Sequence, residues 1–237
     1  MSFQKLEIKL VMLGHAKRLV DTRKLQRYKS NFFHIKEITE IEAMPKGDIE
    51  DGYLNIRYTP EKITEILSTE SGTFVVGIMF YPYYDNFYMR HAGGNKVCIS
   101  LARVSYILRS EKITLENFII KNILVAVLLN NIYNGTNLDR AHEFTHSDTR
   151  GCIFDKNGDI YDIIYNTEKP IICNECKGKI NAKSIPTGYL PKFEKELAQI
   201  DKTLSQKFEI WAGRHPFIYS FITLILGAVL GAIFSRF

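Results

Sequence analysis

The stretch LENFIIKNILVAVLLNNIY, residues 115–133, decides the fold of this chain. Thr114 stands directly before it, and threonine is a preferred N-cap residue that predicts a helix start. Residues 118–129 are apolar on nearly every face, and only Lys121 and Asn122 interrupt them. Because a helix that is apolar all round must be buried, we predict a long helix through the core of a folded body.

Several strand-like segments precede this helix. Apolar or alternating runs that we expect to form strands occupy residues 6–13, 32–41, 53–58, 73–81 and 96–101. Residues 60–67 have a helical pattern between two of these runs. Strands that alternate with helices indicate an α/β fold, with α+β as the alternative. Cys98 falls inside an apolar strand, and we expect it to be an ordinary core residue.

The composition is that of a soluble globular body. The chain has 237 residues, of which 46% are hydrophobic and 24% are charged. These values exclude a disordered chain, a collagen-like repeat and a polytopic membrane protein. The net charge of +5 is too small to indicate a nucleic-acid partner, and we expect none. Four cysteines are too few for a disulfide scaffold of this length.

The C-terminal end differs from the body. Residues 216–234, PFIYSFITLILGAVLGAIF, contain no charged side chain and would span about 28 Å as a helix, close to the thickness of a bilayer core. We therefore predict a single membrane anchor at 215–235. The first nine residues lack the apolar region of a signal peptide. Together with the basic residues before the span, this predicts a tail-anchored protein whose body lies in the cytoplasm.

Two further features accompany the predicted anchor. Gly227 and Gly231 form a small-xxx-small pair, which allows two membrane helices to approach and predicts a homo-oligomer. Residues 190–212 have apolar side chains at helical spacing, which predicts an amphipathic helix between the anchor and a body of residues 1–189. Its apolar face can pack on the body, pair with a second copy or lie on the bilayer.

A metal site is predicted in the segment 146–180. Cys173 and Cys176 form a CxxC, whose two thiolates can bind one metal ion. A glycine and basic residues follow it, which favours a zinc knuckle over the helix that usually follows a redox CxxC. Cys152 and His146 can supply the third and fourth ligands, giving the Cys₃His set of a structural zinc site.

The same segment contains a literal HExxH, His142-Glu143-Phe-Thr-His146. On a helix, both imidazoles would bind one zinc ion while Glu143 activates its water, as in a metallopeptidase. The alternative is a chance match in a polar loop. Farther on, Asn157-Gly158 lies between two apolar runs and predicts a β-hairpin.

These motifs resemble those of the archaemetzincins, zincin-fold proteins related to metallopeptidases. The resemblance rests on the HExxH, the distal CxxC and the strand VCISLAR (residues 97–103), which looks like the family's strand before the active helix. It implies a zincin-like mixed sheet and two zinc sites, one catalytic on three histidines and one structural on four cysteines. Counted from His142, however, the family's third histidine falls on Cys152.

A second resemblance is to uncharacterised bacterial proteins that share His-x-x-Thr-Arg-Gly-Cys-x-Phe-Asp, here residues 146–155, and a distal CxxC. In that pattern His142 and Glu143 are incidental, which implies a degenerate zincin that kept only its structural metal. The leading hypothesis is a tail-anchored zinc-binding protein with a scaffold, sensor or defence role. The alternatives are a membrane-tethered zinc peptidase and a membrane-perturbing effector that acts through oligomerisation of its C-terminal helix.

Overall fold

The computed structural model describes residues 4–50, 56–133, 135, 138–200, 208, 212, 215–221 and 223–225. Two compact units make up the chain, Met1–Ile200 and Asp201–Phe237. The strands and helices of the first unit are β1 (Leu6–Leu13), α1 (Thr22–Arg27), β2 (Phe33–Ile41), β3 (Ile49–Glu50), β4 (Ile56–Arg57), α2 (Pro60–Ile66), β5 (Phe74–Met79), β6 (Met89–His91), β7 (Lys96–Ser100), α3 (Val104–Ser110), α4 (Leu115–Tyr133), α5 (Ile163–Glu168), α6 (Asn174–Asn181) and α7 (Tyr189–Leu197). Short 3₁₀ helices occupy Gly14–Arg18, Leu138–Glu143 and Ile160–Asp162.

A five-stranded mixed sheet forms the centre of the first unit. Its order is β2-β1-β5-β7-β6, in which β6 is antiparallel to β7 and the other pairs are parallel. Every side chain of β5 is buried, as expected of a central parallel strand that is covered on both faces. The prediction of a mixed α/β body is confirmed.

The long helix α4 has the bounds that the sequence predicts, Leu115–Tyr133. The N–H of Asn117 donates to Thr114 Oγ1 over 3.3 Å, so Thr114 does act as a cap. Among the described residues, α4 is the one helix that is long and apolar enough to cross a membrane, but 89% of its apolar window is buried inside the protein. It is therefore a core helix, as predicted.

Two local predictions are wrong. No hairpin forms around Asn157-Gly158, because the chain enters the 3₁₀ helix Ile160–Asp162 and then α5. The side chain of Asp159 accepts the N–H of Tyr161 over 3.0 Å and so initiates the helical turn. The CxxC is also followed by a helix, since Cys173 is the N-cap residue of α6 and Cys176 lies in its first turn.

The helix predicted over 190–212 begins at Tyr189 and ends at Leu197. Its apolar residues Phe193 and Leu197 are buried in the core, and the ring of Phe193 meets that of Phe32 at 5.3 Å between centroids. Of the three alternatives for this face, packing on the body holds for Phe193, Leu197 and Ile200. For Phe208, farther along the face and 53% exposed, the alternatives stay predictions. Residues 201–207 and 209–211 of the prediction lie outside the described residues, and residues 208 and 212 are helical.

The predicted anchor is described only in part. Residues 216–221 and 223–225 are helical, and large apolar side chains there are exposed, among them Phe217, Phe221 and Leu224. The remainder of the span, including Gly227 and Gly231, lies outside the described residues.

Candidate metal centre

Two isolated parallel β-bridges bring distant parts of the segment 146–180 together. One pairs His146 with Asp155, and the other pairs Cys152 with Ile171. The second bridge places Cys152 beside Cys173, the N-cap residue of α6.

The four side chains predicted to bind the structural zinc ion lie close together. One ligand atom from each of His146, Cys152, Cys173 and Cys176 lies within 4.8 Å of the other three. The Nε2 atom of His146 is 3.5 Å from the Sγ atom of Cys173. A tetrahedron with metal–sulfur bonds of about 2.3 Å has edges of about 3.8 Å, so the cluster can close around an ion with small side-chain movements.

The cluster is largely shielded from water. Cys152 and Cys176 are fully buried, the histidine is 9% exposed and Cys173 is half-buried. The Sγ atom of Cys152 accepts the backbone N–H of Cys173 over 3.4 Å, a hydrogen bond that stabilises a thiolate. These residues can therefore hold a metal ion in a site made entirely of protein ligands.

Sequence reasoning missed the residue that orients the histidine. Asp155 Oδ1 lies 3.0 Å from His146 Nδ1, while its Oδ2 accepts the backbone N–H groups of Arg150 and Cys152 over 3.0 and 2.9 Å. The hydrogen bond of Nδ1 itself is with the carbonyl oxygen of Asp148, over 3.2 Å, and the Asp155 carboxylate adds a negative charge beside the same nitrogen. Together they favour a ring orientation in which the other nitrogen, Nε2, points toward the cysteine cluster. The one available signal was an aspartate three residues after Cys152.

The electrostatics of the cluster favour a cation. A hydrogen bond from the Cys176 thiol lowers the pKa of Cys152 to about 5, with further help from the N–H of Cys173, although burial opposes this. The pKa of Cys176 is raised, since its proton is shared with the Cys152 sulfur. In addition, the Arg150 guanidinium lies 3.6 Å from Cys173 Sγ. A thiolate is thus available at neutral pH, and thiolate is the form that binds metal.

His142 and Glu143, the other two residues of the HExxH with a proposed catalytic role, lie outside the four-residue cluster. The 3₁₀ helix Leu138–Glu143 ends three residues before His146, so His142 and His146 do not share a helical face. Among the described residues, His142 is not part of the metal-ligand cluster; it lines a separate cavity of about 680 Å³.

Glu143 is held by three neighbours. It accepts a hydrogen bond from Tyr133 Oη over 2.9 Å, pairs with Lys183 Nζ at 3.1 Å, and pairs with Arg140. These contacts, with Arg140 the largest contributor, lower the pKa of Glu143 to about 2. A carboxylate stabilised in this way is a weak base.

Comparison of the chain with protein-family models, with curated protein sequences and with solved structures gave no match.

Proposed function

We propose that this chain is a membrane-anchored zinc-binding protein in which His146, Cys152, Cys173 and Cys176 hold a structural zinc ion. The observation that carries the proposal is the convergence of four ligand atoms within 4.8 Å in a shielded site. Three sulfurs and one imidazole form a soft donor set that suits zinc, whereas calcium and magnesium require oxygen ligands. Four protein ligands leave no open position for a substrate or a catalytic water.

The resemblance to archaemetzincins is consistent with this assignment. In that comparison the four-ligand set takes the place of the family's structural zinc site, with His146 in place of one cysteine. The segment VCISLAR includes most of β7 and precedes α3 and α4, neither of which contains a histidine. We therefore infer a zincin-like body that has lost the three-histidine catalytic site.

Two features of the structure oppose the alternative function, a zinc peptidase that uses the HExxH. His146 is committed to the cysteine cluster and to Asp155, so it is not available to a second metal ion beside His142. Glu143, the proposed general base, has a pKa lowered to about 2 and is surrounded by cationic partners. Both features oppose the roles that an active HExxH requires.

The membrane part of the proposal rests on residues 216–234. This uncharged segment is long enough to span a bilayer, and the large apolar side chains in its described part are exposed. In this arrangement the zinc site stabilises a cytoplasmic body that serves a scaffold, sensor or defence role. Self-association through Gly227 and Gly231 would bring several copies of that body together. The alternative function, a membrane-perturbing effector, depends on the same self-association.

The zinc content of the purified full-length protein in detergent tests the metal assignment. We expect one zinc ion per chain, with the ion lost in Cys173→Ser and retained in His142→Ala, the matched control from the same segment. Two zinc ions per chain, together with peptide cleavage that Glu143→Ala abolishes, would instead establish the peptidase. Loss of zinc in His142→Ala would contradict the ligand set.

Membrane extraction tests the anchor separately. Full-length protein should resist extraction by alkaline carbonate, and a chain truncated after residue 214 should be released. A truncated chain that stays in the membrane would contradict the anchor without affecting the zinc assignment.

A further inference from the structure

A second cavity of about 680 Å³ lies on the first unit at the C-terminal end of β7. Its lining includes residues 85–88, Arg103 and the loop 156–161, so it is formed by three separate turns. The cavity contains none of the four metal ligands. Nothing in the proposed zinc function accounts for it.

The backbone around this cavity is unusual. Four non-glycine residues have a positive φ within the described part of the chain, and Lys112 is the one that does not line the cavity. The other three are Asn86, Arg103 and Asn157. Asparagine tolerates a positive φ, but arginine does not do so readily, and disfavoured conformations concentrate at ligand sites where the surrounding structure holds them in place.

Arg103 has the least favourable of these conformations. Its φ of 62° and ψ of −44° place it in a γ-turn, closed by a 2.6 Å hydrogen bond from the N–H of Val104 to the carbonyl oxygen of Ala102. This type of γ-turn is rare and strained. A glycine would adopt this conformation with less strain, so an arginine at this position lowers the stability of the fold.

The cavity carries one positive charge in excess once the ion pair between Asp85 and Arg90 is counted out, because Arg103 and Lys156 then stand against the single carboxylate of Asp159. Arg103 and Lys156 are both exposed, and neither side chain has an acidic or hydrogen-bonding partner in the part of the chain that the structure describes. The acidic and amide groups of residues 85, 86 and 159 are already engaged: Asp85 pairs with Arg90, Asn86 accepts from Arg57 and Asp159 accepts the N–H of Tyr161. The two cations therefore outnumber the one carboxylate of the lining that has no cationic partner among the described residues, that of Asp159.

One wall of the cavity is held rigidly from inside the core. Asn157 Nδ2 donates to Tyr88 Oη over 3.2 Å, and Asn157 Oδ1 accepts from Asn166 over 3.1 Å. Asn166 in turn accepts from the fully buried Lys121 over 2.9 Å. Because a preorganised wall reduces the entropy lost on binding, this network favours a specific site.

We propose that this cavity binds a small organic anion, through a phosphate or carboxylate group on Arg103 and Lys156 and a planar ring on the aromatic lining. The guanidinium of Arg103 offers the paired donors that fit an oxyanion, and Lys156 adds a second positive charge. The rings of Phe87 and Tyr161 provide the apolar surface for the remainder of the ligand.

Calorimetric titration of the full-length protein with phenyl phosphate, benzoate and inorganic phosphate tests the proposal. We expect phenyl phosphate or benzoate to bind, and the tighter of the two identifies the anionic group. Inorganic phosphate should bind more weakly than phenyl phosphate, because it lacks the ring. Equal binding of inorganic phosphate and phenyl phosphate would contradict the role of the aromatic lining.

Substitutions at the two cations separate binding from folding. Arg103→Gly and Lys156→Gln should each weaken binding by about tenfold or more, the typical loss of a charge-assisted hydrogen bond. Arg103→Gly should at the same time raise the thermal unfolding midpoint, because glycine relieves the γ-turn. Lys112→Gly, which also replaces a basic residue at positive φ but lies outside the lining, should bind like the unmodified protein.

Absence of binding by all three probes, or binding unchanged in Arg103→Gly and Lys156→Gln, would overturn the proposal. Equal losses in Lys112→Gly would also overturn it, since they would show a general effect of positive charge.

Discussion

The buried lysine of α4 gives a prediction whose sign and size follow from the structure. Lys121 is fully buried, and its Nζ atom donates to Asn166 Oδ1 over 2.9 Å. The same atom lies 5.1 Å from the ring centre of Phe118 and 5.4 Å from that of Tyr88. Burial lowers the pKa of Lys121 from 10.5 to about 7, against a smaller opposing effect of the Asp155 carboxylate.

This pKa implies a large energetic penalty for the charged form. At 1.36 kcal/mol per pKa unit, the fall from 10.5 to about 7 corresponds to about 5 kcal/mol below pH 7. Lys121→Met removes that penalty but leaves the Asn166 amide oxygen without its donor, which costs roughly 1–3 kcal/mol. We therefore expect the variant to be about 2–4 kcal/mol more stable than the unmodified protein near pH 6.

The difference should depend on pH in one direction. Between pH 7 and 10.5 the unfolded chain keeps the Lys121 proton while the folded chain has released it, so the unfolded state binds more protons. Stability of the unmodified protein must therefore rise with pH across this window, and the variant lacks that rise. The advantage of Lys121→Met should shrink steadily as the pH approaches 9 or so.

Denaturant unfolding of the zinc-loaded full-length protein at several pH values measures both quantities. Lys29→Met, at an exposed position, is the matched control and should leave stability and its pH dependence unchanged. A Lys121→Met protein that is less stable than the unmodified protein at low pH, or that keeps the same pH dependence, would refute the reasoning.

Three further predictions concern the metal centre and the packing of α7. Asp155→Asn should weaken zinc affinity by about 10–100-fold in competition with a chelator, because His146 loses the carboxylate that orients it; unchanged affinity would contradict that role. Glu143→Gln should keep full zinc content and should unfold at a lower temperature than the unmodified protein at neutral pH. This difference in unfolding temperature should shrink as the pH falls from 4.5 to about 2, where the carboxylate of the folded protein becomes protonated. Phe193→Ala should destabilise the body by about 3–5 kcal/mol in urea unfolding, because this fully buried ring packs against Phe32; a loss below about 1 kcal/mol would show that α7 is not part of the core.

The central elements of the fold could be predicted from the sequence because they are continuous apolar runs. The sequence predicts a strand at residues 73–81 and a buried helix at 115–133; β5 forms within the first segment and α4 has the bounds of the second. A parallel strand and a core helix are covered on all sides, so their sequences need no alternation and are easily recognised.

The segment between Cys152 and Cys173 is one for which the sequence pattern gave the wrong structure. Asn157-Gly158 between apolar runs predicted a hairpin, yet Ile160, Ile163 and Ile164 have helical spacing and the Asp159 side chain initiates a helical turn. Short apolar runs fit a strand and a helix equally well, and tertiary packing decides between them.

The clustering of the four candidate metal ligands could be predicted, because the spacing of cysteine and histidine residues indicates their chemistry directly. The supporting residue Asp155 was not, since it meets His146 only through a bridge between two loops. Likewise, the positive φ of Arg103 leaves no trace in the sequence, because glycine is the residue that normally marks such a position.

X-ray absorption spectroscopy at the zinc edge, on the full-length protein purified without added metal, tests the central claim most directly. We expect one zinc ion per chain with three sulfur ligands at about 2.3 Å and one nitrogen ligand at about 2.0–2.1 Å. A zinc ion bound only by nitrogen and oxygen, or a protein that holds no zinc, would contradict it.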